Sequence, residues 1–472
     1  MQLFFLAGIA CALMSAPQDN VLRAGAATSN ITPQLGLGII GGFVPFPGTH
    51  VHDELHARCM VLDNGQGKVV LVVCDLLGMD RQVSEQARQL IEKDLGIGQD
   101  RVLICATHTH SAASALGTDP RLNSQTMDEY QRFVVLRIVD GVKRAVNLLR
   151  PAEIAHGTVD IPEHLFNRRW YMKPGTMPAN PFGGIDKVKM NPPAGSKDLL
   201  EPAGPTDPGV SFLAVREVGG GKPIALFTTY SLHYVGGVGN GHVSADYFGV
   251  YSEALAEKLG AVNQSPPFVG MMANGTSGDI NNINFRTPRP AKKPYEQMEY
   301  VARDVAAKVA DAAGRASYKN TARLDARYTE LPVASRKPDA QLMAWAAKTI
   351  ADPTLDPAKG NLSAIYARRT ARMAEQPATL KMPLQVVRVG DVALATMPCE
   401  VFCEIGLEYK KRSTIKPGWM VSLAHGYYGY LPTPRHHALG GYETWMGTNR
   451  LEIKASDIML EQVLKMTEEI AR

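Results

Sequence analysis

Six cysteines in 472 residues are too few for a disulfide framework. Cys74 and Cys105 lie inside apolar runs and read as buried thiols. Cys399 and Cys403 are spaced one residue too far for a Cys-x-x-Cys motif, so neither a redox pair nor metal ligands are expected there. Charge of one sign is also lacking. Fifty Lys and Arg stand against 46 Asp and Glu, a formal net charge of +4, with the basic residues scattered. No field of that size points to nucleic acid as a partner. Repeats and low-complexity tracts are absent, and no segment reads as a transmembrane helix. The apolar run from Leu3 to Met14 is too short to cross a bilayer but suits the core of a signal peptide. A leader over residues 1–20 is therefore expected, with residues 21–472 as one domain and a secreted or periplasmic location. Gly8-Ile9-Ala10-Cys11 loosely resembles a lipoprotein cleavage box, which adds lipid anchoring as a variant of that expectation.

What is present is a large core, since 45% of the residues are hydrophobic. The stretch KVVLVVCD from Lys68 reads as a strand buried on both faces. A helix follows from Ser84, punctuated by Gly96, and RVLICAT from Arg101 makes a second buried strand. This βαβ pattern predicts an α/β fold: mixed, largely buried sheet covered by helices, in which ligands gather beyond the carboxyl ends of strands, the place a metal site would take. Further strands are predicted at 211–215, 224–230, 268–273 and 392–396. Helices are predicted from Tyr130 and at 246–259, 295–313, 338–350 and 455–472. Residues 151–208 are rich in Pro, Gly and Asn and read as a long irregular excursion.

His108 and His110 stand one residue apart at the end of the second strand, where alternation would point both into one cleft. Alone they are as readily structural as catalytic. His233 follows a later strand, and Glu400 emerges after an apolar run and a proline. Together, His108, His233 and Glu400 make a two-histidine, one-carboxylate set of the kind that suits catalytic Zn2+ with an open position for water. Asp75 and Asp279 could orient the ligand histidines, although turn or cap roles fit them as well. His50, His52, Asp53 and His56 look like a metal cluster by composition, but a surface or substrate-lining role is the simpler reading. His436 and His437 read as cleft-rim or solvated residues, and Tyr427, Tyr428 and Tyr430 read as packing.

THTHS (107–111), SLHYVGG (231–237), SADYFG (244–249), NGTSGDINN (274–282), PCE (398–400) and GYLPTPRHHALGGYE (429–443) occur in an order that resembles the catalytic domain of the neutral/alkaline, non-lysosomal ceramidases. The resemblance spans roughly residues 22–443. It implies a zinc-dependent hydrolase of an amide or ester-like bond, ceramidase-like, with a small-molecule or lipid-like substrate. It also implies zinc ligands at His108, His233, Glu400 and Tyr430. His110 would stand beside the metal for proton transfer or substrate contact, and Tyr442 near it. The active-site arginine would be Arg168, or Arg169 next to it. One departure stands out: Asn281 replaces the family's active-site serine, which removes an acyl-accepting hydroxyl but leaves an amide able to donate to an oxyanion. The resemblance stops short of the family's C-terminal immunoglobulin-like domain. Two rivals stay open: a lactonase, esterase or N-acyl hydrolase acting on a small polar or sugar-derived compound, and a metal-containing binding protein without turnover.

Overall fold

Apolar side chains on both faces of a strand need a layer on each side. The run at Lys68–Cys74 has both: Val70, Val72 and Cys74 join one core, and Val69, Leu71 and Val73 another. The computed structural model describes residues 21–42, 45–117 and 126–472, so the expected leader lies outside the described residues. Strands β1 (Arg23–Asn30), β2 (His56–Asp63), β3 (Lys68–Cys74), β4 (Val102–Ala106), β5 (Arg150–Asp160), β6 (Gly209–Glu217), β7 (Pro223–Tyr230) and β8 (Val269–Asn274) form one mixed sheet. Their order is β8-β7-β6-β5-β1-β2-β3-β4. Only the two end pairs, β3 with β4 and β7 with β8, are parallel. Each parallel pair is joined by a helical crossover, as parallel neighbours require. The sheet curls so that β8 packs on β2, β3 and β4.

A second sheet of β9 (Leu324–Ala334), β10 (Thr379–Val389), β11 (Val392–Thr396) and β12 (Gly418–Val421) covers one face of the first. Leu103 and Cys105 of β4 meet Val387, Leu394 and Trp419 across this interface. Helices α1 (Arg81–Leu95) and α2 (Glu129–Asn147) cover the opposite face at one end, and α3 (Asp246–Lys258) and α4 (Glu296–Gly314) cover β6–β8. Helix α2 begins with a reciprocal capping box between Asp128 and Gln131. It sits close to β1 because Gly25 has no side chain: a Cβ there would lie 2.1 Å from the Ala145 carbonyl oxygen. Helices α5 (Ala340–Ala351) and α6 (Leu362–Glu375) form a hairpin; α7 (Cys403–Arg412), the short α8 (Pro434–Leu439) and α9 (Ala455–Ala471) complete the described helices. The layers run helix, sheet, sheet, helix, with α7 and α9 behind the second sheet.

The predicted α/β class holds, and the strands at 68–75, 101–107, 211–215, 224–230, 268–273 and 392–396 fall on β3, β4, β6, β7, β8 and β11. Residues 151–208 do not form one irregular excursion. They begin with the eleven-residue β5, in the middle of the large sheet. Gly157 looks like loop punctuation in the sequence, but it is empty space for a ring: a Cβ would stand 2.6 Å from the Phe212 Cζ. Beyond β5 the chain makes a small three-stranded sheet of Arg169–Met172, Val188–Met190 and Leu199–Pro202, which borders the site described next.

Candidate active site

Strand β4 ends at Ala106, so His108 and His110 lie beyond it and alternation cannot align them. A turn does so instead. His108 takes a left-handed backbone conformation, φ 69°, uncommon for a side-chain-bearing residue and a frequent mark of functional positions. Its N–H donates to the Leu76 carbonyl (2.9 Å), and the Asn274 amide at the end of β8 donates to the Thr107 carbonyl (3.1 Å). The curl of the sheet thus brings the loop after β7, which carries His233, to the loop after β4.

Three imidazoles meet there. Ring nitrogens of His108, His110 and His233 lie within 4.8 Å of one another. Each Nδ1 faces a backbone carbonyl: Leu77 at 2.6 Å, Gly41 at 2.8 Å and Ser277 at 3.0 Å. A carbonyl only accepts, so each Nδ1 carries the proton and each Nε2 offers a lone pair to the centre, the arrangement typical of metal-ligating histidine. The Nε2 atoms of His108 and His110 are 3.1 Å apart, and Glu400 Oε2 lies 3.2 Å from His108 Nε2 and 3.6 Å from His233 Nε2. Lone pairs this close repel unless a proton or cation lies among them. His233 Nε2 and Glu400 Oε2 are both buried without a hydrogen-bond partner, which favours the cation. The nitrogen and oxygen donors suit a divalent ion such as zinc.

Glu400 opens a two-residue strand that pairs in parallel with Tyr430–Leu431, setting Glu400 opposite Tyr430. Tyr427 Oη donates to Glu400 Oε1 at 2.7 Å, leaving Oε2 for the histidines. Burial alone would push the Glu400 carboxyl up, but neighbouring His108, then His233 and a hydrogen bond from Tyr430, hold it well below the usual carboxylate range. Burial, reinforced by His108, lowers His110 to about 3 and His233 well below its ordinary value. Both rings are neutral near pH 7, the state a ligand or proton acceptor needs.

These groups open onto a cavity of about 470 Å³ whose wall includes His108, His110, Arg168, Glu400, Tyr430 and Tyr442. His233 lies behind them, 2% exposed. Arg168 stands with its Cζ 5.3 Å from the Tyr430 ring, and the Tyr430 and Tyr442 rings are 5.7 Å apart. Between the two adjacent arginines, Arg168 lines the cavity. Arg169 is fully buried behind it, donating to the Gly440 carbonyl. Both bind Glu443: Arg168 Nε at 3.0 Å and Arg169 Nη1 at 2.5 Å. Asn281 stands outside the lining; its side-chain amide donates to Asn191, which is on the wall, at 3.1 Å.

Several sequence readings need correction. Asp75 and Asp279 do not orient the histidines, because backbone carbonyls occupy every Nδ1. Asp75 binds the His56 amide and Arg58, and Asp279 accepts from the Cys403 amide and Asn167. His436 is fully buried, against Phe402 and Thr433, and is not at a rim. His50 and His52 lie against His242 and Tyr295 respectively, apart from the cavity wall. Tyr427 is not mere packing, since it holds Glu400. The role of Glu443 has no signal in its motif, because its neighbours in sequence do not reveal that two arginines 274 and 275 positions earlier share it.

Burial raises the Asp279 pKa from 3.8 to about 6. An acid held with a higher pKa in the folded state binds its proton more tightly there, so its contribution to stability is present at low pH and is lost as pH rises from about 4 through 6. In Asp279→Asn, one of the two donors, the Cys403 amide or Asn167, would face an NH2 group. The variant is expected to be less stable than wild type, with the gap widest near pH 4 and narrowing by pH 7, at roughly 1.4 kcal/mol per pKa unit displaced. Denaturant titrations of both proteins from pH 4 to 8 check this; a gap that widens with pH has the wrong sign.

Known proteins agree with this architecture. A family model, "Neutral/alkaline non-lysosomal ceramidase, N-terminal", matches residues 25–319. The neutral ceramidase of Pseudomonas aeruginosa superposes with a TM-score of 0.68 at 18% identity, covering 95% of this chain and 74% of that one. A structure described as a ceramidase complexed with C2 superposes with a TM-score of 0.70 at 17% identity, covering 96% of this chain and 75% of its own. At such identities the superpositions speak for the fold, and the family match covers His108, His110, Arg168 and His233 but not Glu400, Tyr430 or Tyr442. The chain belongs to the neutral/alkaline non-lysosomal ceramidase family.

Proposed function

We propose that the protein is a metal-dependent hydrolase of acyl compounds, cleaving an amide or ester-like bond, with His108, His233, Glu400 and Tyr430 as the residues that would hold the ion. The observation that carries this is the convergence of carbonyl-anchored imidazoles on the unpartnered Glu400 Oε2. Zinc in such a site supplies Lewis acidity, able to bring the pKa of water from about 15.7 to about 7. The protein's own groups do the rest. Arg168 and Tyr442 face the cavity where the carbonyl oxygen gathers charge, and one such donor is worth roughly 10²–10³ in rate. His110, fixed by the Gly41 carbonyl and stacked on Tyr234 at 3.8 Å between centroids, holds Nε2 toward the reacting bond. There it can take a proton from the incoming water and return it to the leaving atom.

Elemental analysis of purified protein should find close to one zinc per chain. Chelation should abolish turnover of a fluorescent short-chain ceramide or of simpler acyl amides and esters, zinc should restore it, and melting temperature should fall with the metal. Metal held without turnover of any of these would instead establish a binding protein. Activity unaffected by thorough chelation would sink the metal reading.

A further inference from the structure

The cavity wall has a charge pattern that hydrolysis of a neutral lipid does not require. Four arginines line it, Arg168, Arg369, Arg372 and Arg450, against two carboxylates, Asp80 and Glu400. Arg168 is committed to Glu443, and Glu400 to the candidate metal, while Asp80 caps α1 through the Gln82 amide. The remaining arginines come from two separate elements. Arg369 and Arg372 share one side of α6, three residues apart, and Arg450 arrives from the loop before α9. Arg369 donates to the hydroxyls of Tyr366 (3.4 Å) and Thr448 (3.3 Å). Arg372 and Arg450 have no ion pair among the described residues. Arg450 is half-buried, and its guanidinium meets the Tyr427 ring at 5.5 Å, the same tyrosine that holds Glu400. Arg450 thus shares one cavity wall with Arg369 and Arg372, and burial pulls it below its ordinary pKa, as for a partly desolvated cation. Keeping like charges together on a cavity wall is unfavourable unless something anionic enters between them.

A second cavity, of about 430 Å³, shares Met190 and Tyr442 with the first. Its wall is mainly apolar, with Met177, Pro178, Leu362 and Trp445. One cavity thus offers cations and the other hydrocarbon contact, with Tyr442 between them.

Building on the hydrolase reading, we infer that the substrate is an acyl amide bearing a carboxylate, of the N-acyl amino acid type, whose carboxylate is received by Arg372 and Arg450 while its acyl chain lies toward Met190 and Trp445. Guanidinium is the group best matched to a carboxylate, through paired N–H donors. In the reaction, water adds its oxygen to the acyl carbon, the carbon–nitrogen bond breaks, and the nitrogen takes the proton. The products are a fatty acid and a free amino acid.

The test compares dodecanoyl amides of glycine, β-alanine and γ-aminobutyrate with those of the matching neutral amino alcohols, so that the charge is probed at three distances from the amide. With zinc-loaded protein, at least one anionic amide should show tenfold or greater kcat/KM over its neutral partner. That preference should shrink as salt rises from about 0.05 to about 0.5 M. Arg372→Gln and Arg450→Gln should each bring the ratio toward one. Calorimetry on chelator-treated protein gives a second readout: the preferred anionic amide should bind at least tenfold more tightly than its neutral partner, and the variants should lose that margin. Equal binding and turnover of charged and neutral amides overturns the anion subsite while leaving the hydrolase reading intact. A charge preference in calorimetry without turnover by the zinc-loaded protein does the reverse, upholding the subsite and removing the hydrolase.

Discussion

Alanine at His108 or His233 is expected to empty the metal site and lower kcat/KM by at least about 10³-fold, since the ion's stabilisation of developing charge is worth several kcal/mol. The fold should survive both changes. The turn at His108 is tied by backbone bonds to Leu76 and through Thr107 to Asn274, and none of these uses the imidazole. His110→Ala separates the roles. Its Nε2 belongs to the same cluster as the other two, yet its place as a proton carrier leads us to expect metal content near wild type with a loss of about 10²–10⁴ in kcat. Atomic absorption on the three variants, beside circular dichroism to confirm folding, decides the matter. Full metal in His108→Ala or His233→Ala would refute the ligand assignment, and lost metal in His110→Ala would make it a third nitrogen ligand.

The sequence showed which residues matter more clearly than how they are held. Buried strands were legible because Val and Ile runs such as KVVLVVC have no other economical home, and His108, His233 and Glu400 were legible as polar groups stranded at the ends of such runs. The second sheet was largely hidden. Strand β9 carries mixed burial, with Asp325, Arg327 and Glu330 exposed or partly so, and its partner β10 follows only after the whole α5–α6 hairpin. Strand β5 was hidden by Pro151 and Gly157, which read as breakers until Phe212 is seen against the glycine. What holds the histidines could not be read at all. The Leu77, Ser277 and Gly41 acceptors are backbone carbonyls, which leave no side-chain signature, whereas the carboxylates Asp75 and Asp279 stand out in the sequence as partners for histidine. The arginines of α6 carry no signal of their own either, since only the fold sets Arg369 and Arg372 on the cavity wall.

Glu443→Ala should be the most destabilising single change near the site, by about 3–5 kcal/mol, because it strands two guanidinium groups in the interior. Arg169 is fully buried and Arg168 is 4% exposed, and Glu443, itself fully buried, is the carboxylate both of them bind. Glu443→Gln keeps the volume and one acceptor, so it should cost less. Arg169 retains the Gly440 carbonyl at 2.6 Å, whereas Arg168 already has one guanidinium nitrogen, Nη2, without a partner. The glutamine variant should therefore fold with Arg168 loosened, lowering kcat more than it raises KM, since a donor aimed at developing charge acts chiefly in the transition state. Denaturant unfolding of both variants and steady-state kinetics of the glutamine form test the two halves separately. A cost below about 1 kcal/mol for Glu443→Ala would mean the arginines find water or other acceptors on their own. In that case the rigidity of Arg168, and with it the placement of positive charge beside Tyr430, would need another source.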